Sequence, residues 1–104
     1  MLQNGIHQPH SPPLLRFSDI DEVVALANAT EYGLAGAVWS KDVDQAVAIA
    51  KRLDTGTVWI NQNLESSPGI PLGGHKQSGF GVENGVAGLM EFVQPKSIFI
   101  PKSA

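Results

Sequence analysis

Residues 34–60, LAGAVWSKDVDQAVAIAKRLDTGTVWI, decide the fold. The stretch opens with a small, apolar run through Ala35, Gly36, Ala37 and Val38 to Trp39, which reads as a strand over 34–39. Asp42 then offers a side-chain oxygen to the free amides of a first helical turn. Val43, Ala46, Val47, Ala50 and Leu53 recur at helical spacing and form one apolar stripe. Residues 54–56 break the helix, and Thr57, Val58, Trp59 and Ile60 are β-branched, aromatic or both apolar and extended by preference. Two strands joined by one helix lie parallel, with a right-handed crossover.

The same cycle precedes this unit. Leu14, Leu15 and Phe17 form a short apolar run that predicts a strand. Ser18 or Asp19 is placed to cap a helix, with Asp21 and Glu22 in its acidic first turn. Ile20, Val23, Val24 and Ala27 supply its apolar face, and Gly33 is expected just past its end with positive φ. The fold class is therefore α/β, a partial parallel sheet of βαβαβ type. Its strands are apolar throughout rather than alternating, the pattern of strands covered on both faces. Three strands and two helices cannot provide that cover, so the sheet is incomplete.

Downstream, residues 61–82 are rich in glycine and proline and too long for an idle connection. Asn84 is positioned to start a third helix carrying Val86, Leu89, Met90 and Val93. Residues 97–100 predict a C-terminal strand that Pro101 stops. Residues 1–13 differ from the rest: Pro9, Pro12 and Pro13 deny them both ladder donors and helix, so they read as an irregular lead-in to a unit over 14–104.

Composition narrows the chemistry. The net charge is −3 and only 16% of residues are charged, which gives no electrostatic case for a nucleic-acid or membrane partner. There is no cysteine among the 104 residues, which removes a disulfide framework, a thiolate metal site and a cysteine nucleophile together. No apolar run approaches the ~20 residues that span a bilayer. The N-terminus has no basic stretch leading into an apolar core, so a cytoplasmic location is expected.

Four segments carry a family resemblance. Phe17-Ser18-Asp19-Ile20-Asp21-Glu22 is followed by Glu31-Tyr32-Gly33-Leu34-Ala35-Gly36-Ala37-Val38-Trp39, then by Gly56-Thr57-Val58-Trp59-Ile60-Asn61. Pro71-Leu72-Gly73-Gly74-His75-Lys76-Gln77-Ser78-Gly79-Phe80-Gly81 resembles the P-F-G-G-x-K-x-S-G-x-G segment of the aldehyde dehydrogenase superfamily, and all of these stand in that family's order. The resemblance covers about residues 14–100. It implies the last part of a catalytic domain plus the final strand of an oligomerisation subdomain, with a separate NAD(P)-binding domain upstream. Two departures stand out. The E-x-F-G-P segment that contacts the nicotinamide ribose in the family has Ile6 and Gln8 at its glutamate and phenylalanine positions. Neither replaces a carboxylate that accepts from sugar hydroxyls. Leu72 stands where phenylalanine is usual.

Aldehyde oxidation of this type needs a thiolate, oxyanion donors, a base and a bound nicotinamide. This chain has no thiolate, and Ser66, Ser67 and Ser78 lack an evident neighbouring base, so no catalytic residue and no cofactor are assigned to it. Gly79-Phe80-Gly81 opens like a dinucleotide loop, but Asn84 holds the third glycine position and no strand precedes it. Backbone geometry is the preferred reading of these glycines. His7 and His10 have helical metal spacing in a proline-rich context, so solvated side chains are preferred and no metal site is assigned. His75 reads as a surface residue, and Trp39 and Trp59 as core or interface anchors.

The resemblance implies that residues 61–70 border a substrate tunnel, with Asn63, Leu64, Glu65, Ser66 and Ile70 as candidates to line it. It also implies that Ile98, Phe99 and Ile100 take part in subunit contacts, and an unpaired strand of this kind has ladder groups to satisfy. The sequence thus predicts a non-catalytic, self-associating fragment of an NAD(P)-dependent aldehyde dehydrogenase, a homo-oligomer joined through sheet edges and apolar surface. Two alternatives are a component that completes an active site with a separate chain, and a small-molecule-binding module.

Overall fold

The computed structural model describes residues 14–103. The lead-in over 1–13, with Ile6, Gln8, His7 and His10, lies outside them. Element order is α1 (Ile20–Asn28), β1 (Tyr32–Gly33), β2 (Ala35–Val38), α2 (Val43–Ala50), β3 (Thr57–Ile60), β4 (Leu72–Gly73), β5 (His75–Lys76), β6 (Val82–Glu83) and α3 (Gly85–Met90).

The central unit is β2-α2-β3, as its sequence predicts. β2 and β3 pair in parallel from Ala35 opposite Thr57 to Val38 opposite Ile60. Asp42 caps α2, its carboxylate accepting from the Gln45 amide at 3.0 Å, and Asp19 caps α1 by accepting from the Asp21 amide at 3.0 Å. Each such cap stabilises its helix by about 1 kcal/mol. Arg52, in the turn after α2, pairs with Asp21 of α1 at 2.6 Å, but both side chains are well exposed and the pair adds little.

Beyond that unit the architecture departs from expectation. Residues 14–17 form no strand, and Leu14 and Leu15 stand 94% and 76% exposed. Residues 97–100 form no strand either, with Ile98, Phe99 and Ile100 exposed. Both runs have strand composition, yet a strand exists only where a second backbone meets its donors and acceptors. Among the described residues none does, so of the βαβαβ sheet one parallel pair is present. The glycine-rich stretch contributes two short antiparallel ribbons instead: β1 with β5, and β4 with β6.

Gly33 is also not a helix terminator. Helix α1 ends at Asn28, and Gly33 is a buried residue of β1 opposite His75. Glycine is needed there for space: a Cβ would overlap the Asp54 carbonyl oxygen and lie 3.1 Å from the His75 Cβ. Gly56 has the same role at the entry to β3, where a Cβ would overlap the Gly73 carbonyl of β4.

The core is thin. Val24 and Ala46 are the buried hydrophobic side chains of the described chain. The accessible surface is 9501 Å², whereas a compact monomer of 11.1 kDa exposes about 5,700 Å². The radius of gyration is 19.8 Å, against about 13 Å for a compact domain of this length.

Candidate functional site

Two clefts flank the β2–β3 pair. The first, about 440 Å³, lies between β3 and the loop that follows it. The loop leaves β3 through Asn61, whose φ of 55° lies in the left-handed region that asparagine tolerates. Its carboxamide clamps Ser40, accepting from the Ser40 amide and donating to the Ser40 carbonyl, both at 2.9 Å. The Trp59 indole N–H donates to the Glu65 carbonyl at 2.7 Å and folds the loop back over β3. Further on, the Ile70 amide donates to the Ser67 carbonyl at 3.0 Å, and the Gly85 amide donates to the Pro68 carbonyl at 2.8 Å.

Of the candidate tunnel residues, Glu65, Ser66 and Ile70 line this cleft, together with Gln62, Ser67 and Asn84. Asn63 and Leu64 do not: both are exposed, and Leu64 turns the chain with a φ of 61°. Gln62 and Ser67 carry no pattern that singles them out in sequence. Asn84 reaches the cleft only because β6 returns alongside β4.

The second cleft, about 610 Å³, is a largely apolar groove beside β2. Phe17, Ile20, Val23, Tyr32, Leu34 and Trp39 help to line it. The outer edge of β2 opens into this region with no strand paired to it among the described residues. Trp39 is 68% exposed here, while Trp59 is half-buried.

The residues of the P-L-G-G-H-K-Q-S-G-F-G segment fasten the fold. Lys76 Nζ donates to the carbonyls of Asn28 at 2.8 Å and Thr30 at 3.3 Å, and lies 3.5 Å from the Asp54 carboxylate. A cation there meets the negative end of α1. Ser78 Oγ accepts from the Gly33 amide at 3.0 Å. Asn28 completes the knot, its Nδ2 donating to the Arg52 carbonyl at 2.8 Å and its Oδ1 accepting from the Asp54 amide at 2.9 Å. Neither Asn28 nor this use of Lys76 is visible in sequence, since the partners lie 24 to 48 residues away. Lys76→Met, which keeps the aliphatic stem but removes the donors, is expected to cost about 1 kcal/mol in a urea denaturation series.

Chemically the site offers little. With no cysteine in the chain, no thiolate can attack a carbonyl. The Ser78 hydroxyl is engaged by the Gly33 amide, and Ser66 and Ser67 sit exposed in the loop. Gly79, with a φ of 99°, turns the chain between β5 and β6, and Phe80 beside it is 97% exposed. The helix that follows has six residues and starts at Gly85. A pyrophosphate cradle needs a strand leading through its glycines straight into a helix N-terminus. This segment does not fit a dinucleotide. No group of three or more His, Asp or Glu side chains suited to a metal occurs among the described residues, and none of their helices is long and apolar enough to cross a membrane.

A parallel βαβ unit, fastened by a glycine-rich lysine and serine segment and bordered by open clefts, is the α/β arrangement of the described residues. The comparisons give the family. The description "Aldehyde dehydrogenase family" matches residues 12–98, and the chain belongs to that family. Aldehyde dehydrogenase LUC3 from a Fusarium species is 51% identical over 88 residues, 85% of this chain and 19% of that protein. The succinate-semialdehyde dehydrogenase (NADP(+)) of Deinococcus radiodurans is 53% identical over 83 residues, 80% of this chain and 17% of the relative. The crystal structure of betaine aldehyde dehydrogenase from Staphylococcus aureus in complex with NAD+ superposes with a TM-score of 0.71 at 49% identity, covering 73% of this chain and 15% of that one. The chain thus spans less than a fifth of the length of these relatives.

Proposed function

We propose that this chain is a non-catalytic, self-associating C-terminal fragment of an NAD(P)-dependent aldehyde dehydrogenase, acting in the cytoplasm without a nucleic-acid or membrane partner. The observation that carries the reading is the surface excess: 9501 Å² exposed where a compact chain of this mass exposes about 5,700 Å². Much of that excess is apolar side chain, from Phe17, Tyr32 and Trp39 around the groove to Ile98, Phe99 and Ile100 near the C-terminus. Patches of this kind are covered in stable soluble proteins. The described residues also divide by charge. Residues 14–91 hold ten carboxylates and five Lys or Arg side chains, whereas 92–103 hold only Lys96 and Lys102. A basic, apolar tail and an acidic body with an apolar groove are complementary between copies. Association completes the sheet, with residues 14–17 and 97–100 as added strands. Sedimentation velocity across a concentration series is expected to show a defined oligomer; a single monomeric species at every concentration would reject the proposal.

A second reading is favoured by the open cleft at Glu65, Ser66 and Ile70. The chain then completes an aldehyde dehydrogenase active site with a separate polypeptide that brings the cysteine and the nicotinamide-binding domain. Cofactor and substrate binding belong to that partner, and mixing the two chains would produce aldehyde-dependent NAD(P) reduction that neither gives alone.

A further inference from the structure

The junction between β6 and α3 holds an Asn-Gly pair, Asn84–Gly85, unlike the other asparagines of the described chain. Asn28 and Asn61 have both ends of their carboxamides bound to backbone, and Asn63 is followed by the branched Leu64. Asn84 is exposed, makes no capping hydrogen bond, and sits at φ 63° and ψ 169°. Gly85, which follows it, has no Cβ to shield its nitrogen. Nor can the fold substitute a bulkier residue there: Gly85 has a φ of 61°, and a Cβ would lie 3.1 Å from the Pro71 ring. The geometry that demands glycine therefore also keeps any side chain of its own away from the nitrogen that follows the Asn84 carboxamide.

We propose that Asn84 is a site of spontaneous modification, forming a succinimide with Gly85, and that the hydrogen bond from the Gly85 amide to the Pro68 carbonyl is its gate. While that 2.8 Å bond is made, the amide proton is held and the nitrogen is turned toward Pro68. When the junction opens, the Gly85 nitrogen loses its proton and attacks Asn84 Cγ. The N–Cγ bond forms, the Cγ–Nδ2 bond breaks, and the nitrogen leaves as ammonia after taking up a proton. Water then opens the five-membered ring. Hydrolysis at the side-chain carbonyl gives aspartate; hydrolysis at the main-chain carbonyl gives isoaspartate, with the backbone routed through the extra methylene. Water is the only co-reactant. Both products place a carboxylate at the rim of the cleft, where Glu65 is the one charged lining residue among those described. Isoaspartate also displaces the Gly85 amide from Pro68 and shifts the start of α3.

The test is incubation of the intact chain at mildly alkaline pH, followed by tryptic mapping and isoaspartyl methyltransferase labelling. Asn84 falls in peptide 77–96, while Asn61 and Asn63 fall together in peptide 53–76. The sequence also holds Asn4–Gly5, in peptide 1–16, so separated peptides rather than intact mass give the reading. A free peptide spanning residues 81–88 supplies the ungated rate. The mass gain of amide-to-acid exchange is expected in 77–96 ahead of 53–76, with methyltransferase labelling of the same peptide. Its rate is expected to be about twofold to tenfold below that of the free peptide, the protection that one net hydrogen bond provides. No gain in 77–96 after the free peptide is fully converted, or an earlier gain in 53–76, would overturn the site. A native rate equal to or above that of the free peptide would overturn the gate.

Discussion

Gly56→Ala is expected to lower the stability of the chain by about 3 kcal/mol or more, enough to unfold it where the wild type is folded. Gly56 is an exposed residue, so surface position alone would predict a mild effect. Its backbone, however, crosses β4 closely enough that an added methyl overlaps the Gly73 carbonyl oxygen and lies 2.7 Å from the Gly73 carbonyl carbon. Both neighbours are main chain, so no rotamer change relieves the overlap. Either β3 must move off β4, or the Gly56 amide must give up its 3.1 Å bond to the Gly33 carbonyl. With Val24 and Ala46 as the buried hydrophobic side chains, little packing remains to offset that loss. Far-UV circular dichroism melts at matched protein concentration give the answer, since association would otherwise confound the comparison. A variant melting with the wild type would refute the close approach of β3 and β4.

Asn28→Ala is expected to cost about 2–3 kcal/mol, because it strips hydrogen bonds from two separate backbone groups at once. The Arg52 carbonyl loses its donor and the Asp54 amide its acceptor. Both groups belong to the turn after α2, so the loss should loosen α2 against α1 as well as destabilise the whole. Asn28→Asp keeps the acceptor for Asp54 but turns an oxygen toward the Arg52 carbonyl, and is expected to recover only part of the loss. Urea denaturation of the three proteins measures this directly. Equal midpoints for wild type and Asn28→Ala would show that the carboxamide bridge contributes nothing.

The parts of this fold that are local in sequence are legible there. Asp19 and Asp42 announce their helices because a cap is satisfied within three residues, and Ala46 falls on the predicted stripe of α2 as its buried member. β2 and β3 are readable because each is a four-residue apolar run flanking a helix. The ribbons β1–β5 and β4–β6 are not, since two-residue strands, Tyr-Gly, Leu-Gly, His-Lys and Val-Glu, are too short to carry a periodicity. The opposite error arises at 14–17 and 97–100, where apolar composition suggests strands but no neighbouring backbone arrives among the described residues. Of the residues that the family resemblance implies for a tunnel, Glu65, Ser66 and Ile70 stand at the wall of the cleft, and Asn63 and Leu64 do not. The left-handed turn at Leu64 is what carries those two away. Lys76 and Ser78 are recognisable as motif residues, yet their work depends on partners at Asn28, Thr30 and Gly33, distances along the chain that pattern does not span.

The fastening of α1 by Lys76 has a consequence for how the chain is made. A ribosome releases residues in order, and the carbonyl of Asn28 emerges 48 residues before the ammonium that meets it. During that interval α1 has its Asp19 cap but no cation at its other end, and Gly33 has no hydroxyl to receive its amide. The early helix of the nascent polypeptide is thus only half secured until the glycine-rich segment clears the exit tunnel. Closing so wide a loop must precede any reward from its contacts. Synthesis therefore leaves a window in which chaperones and proteases meet the helices before their shared lock has left the ribosome.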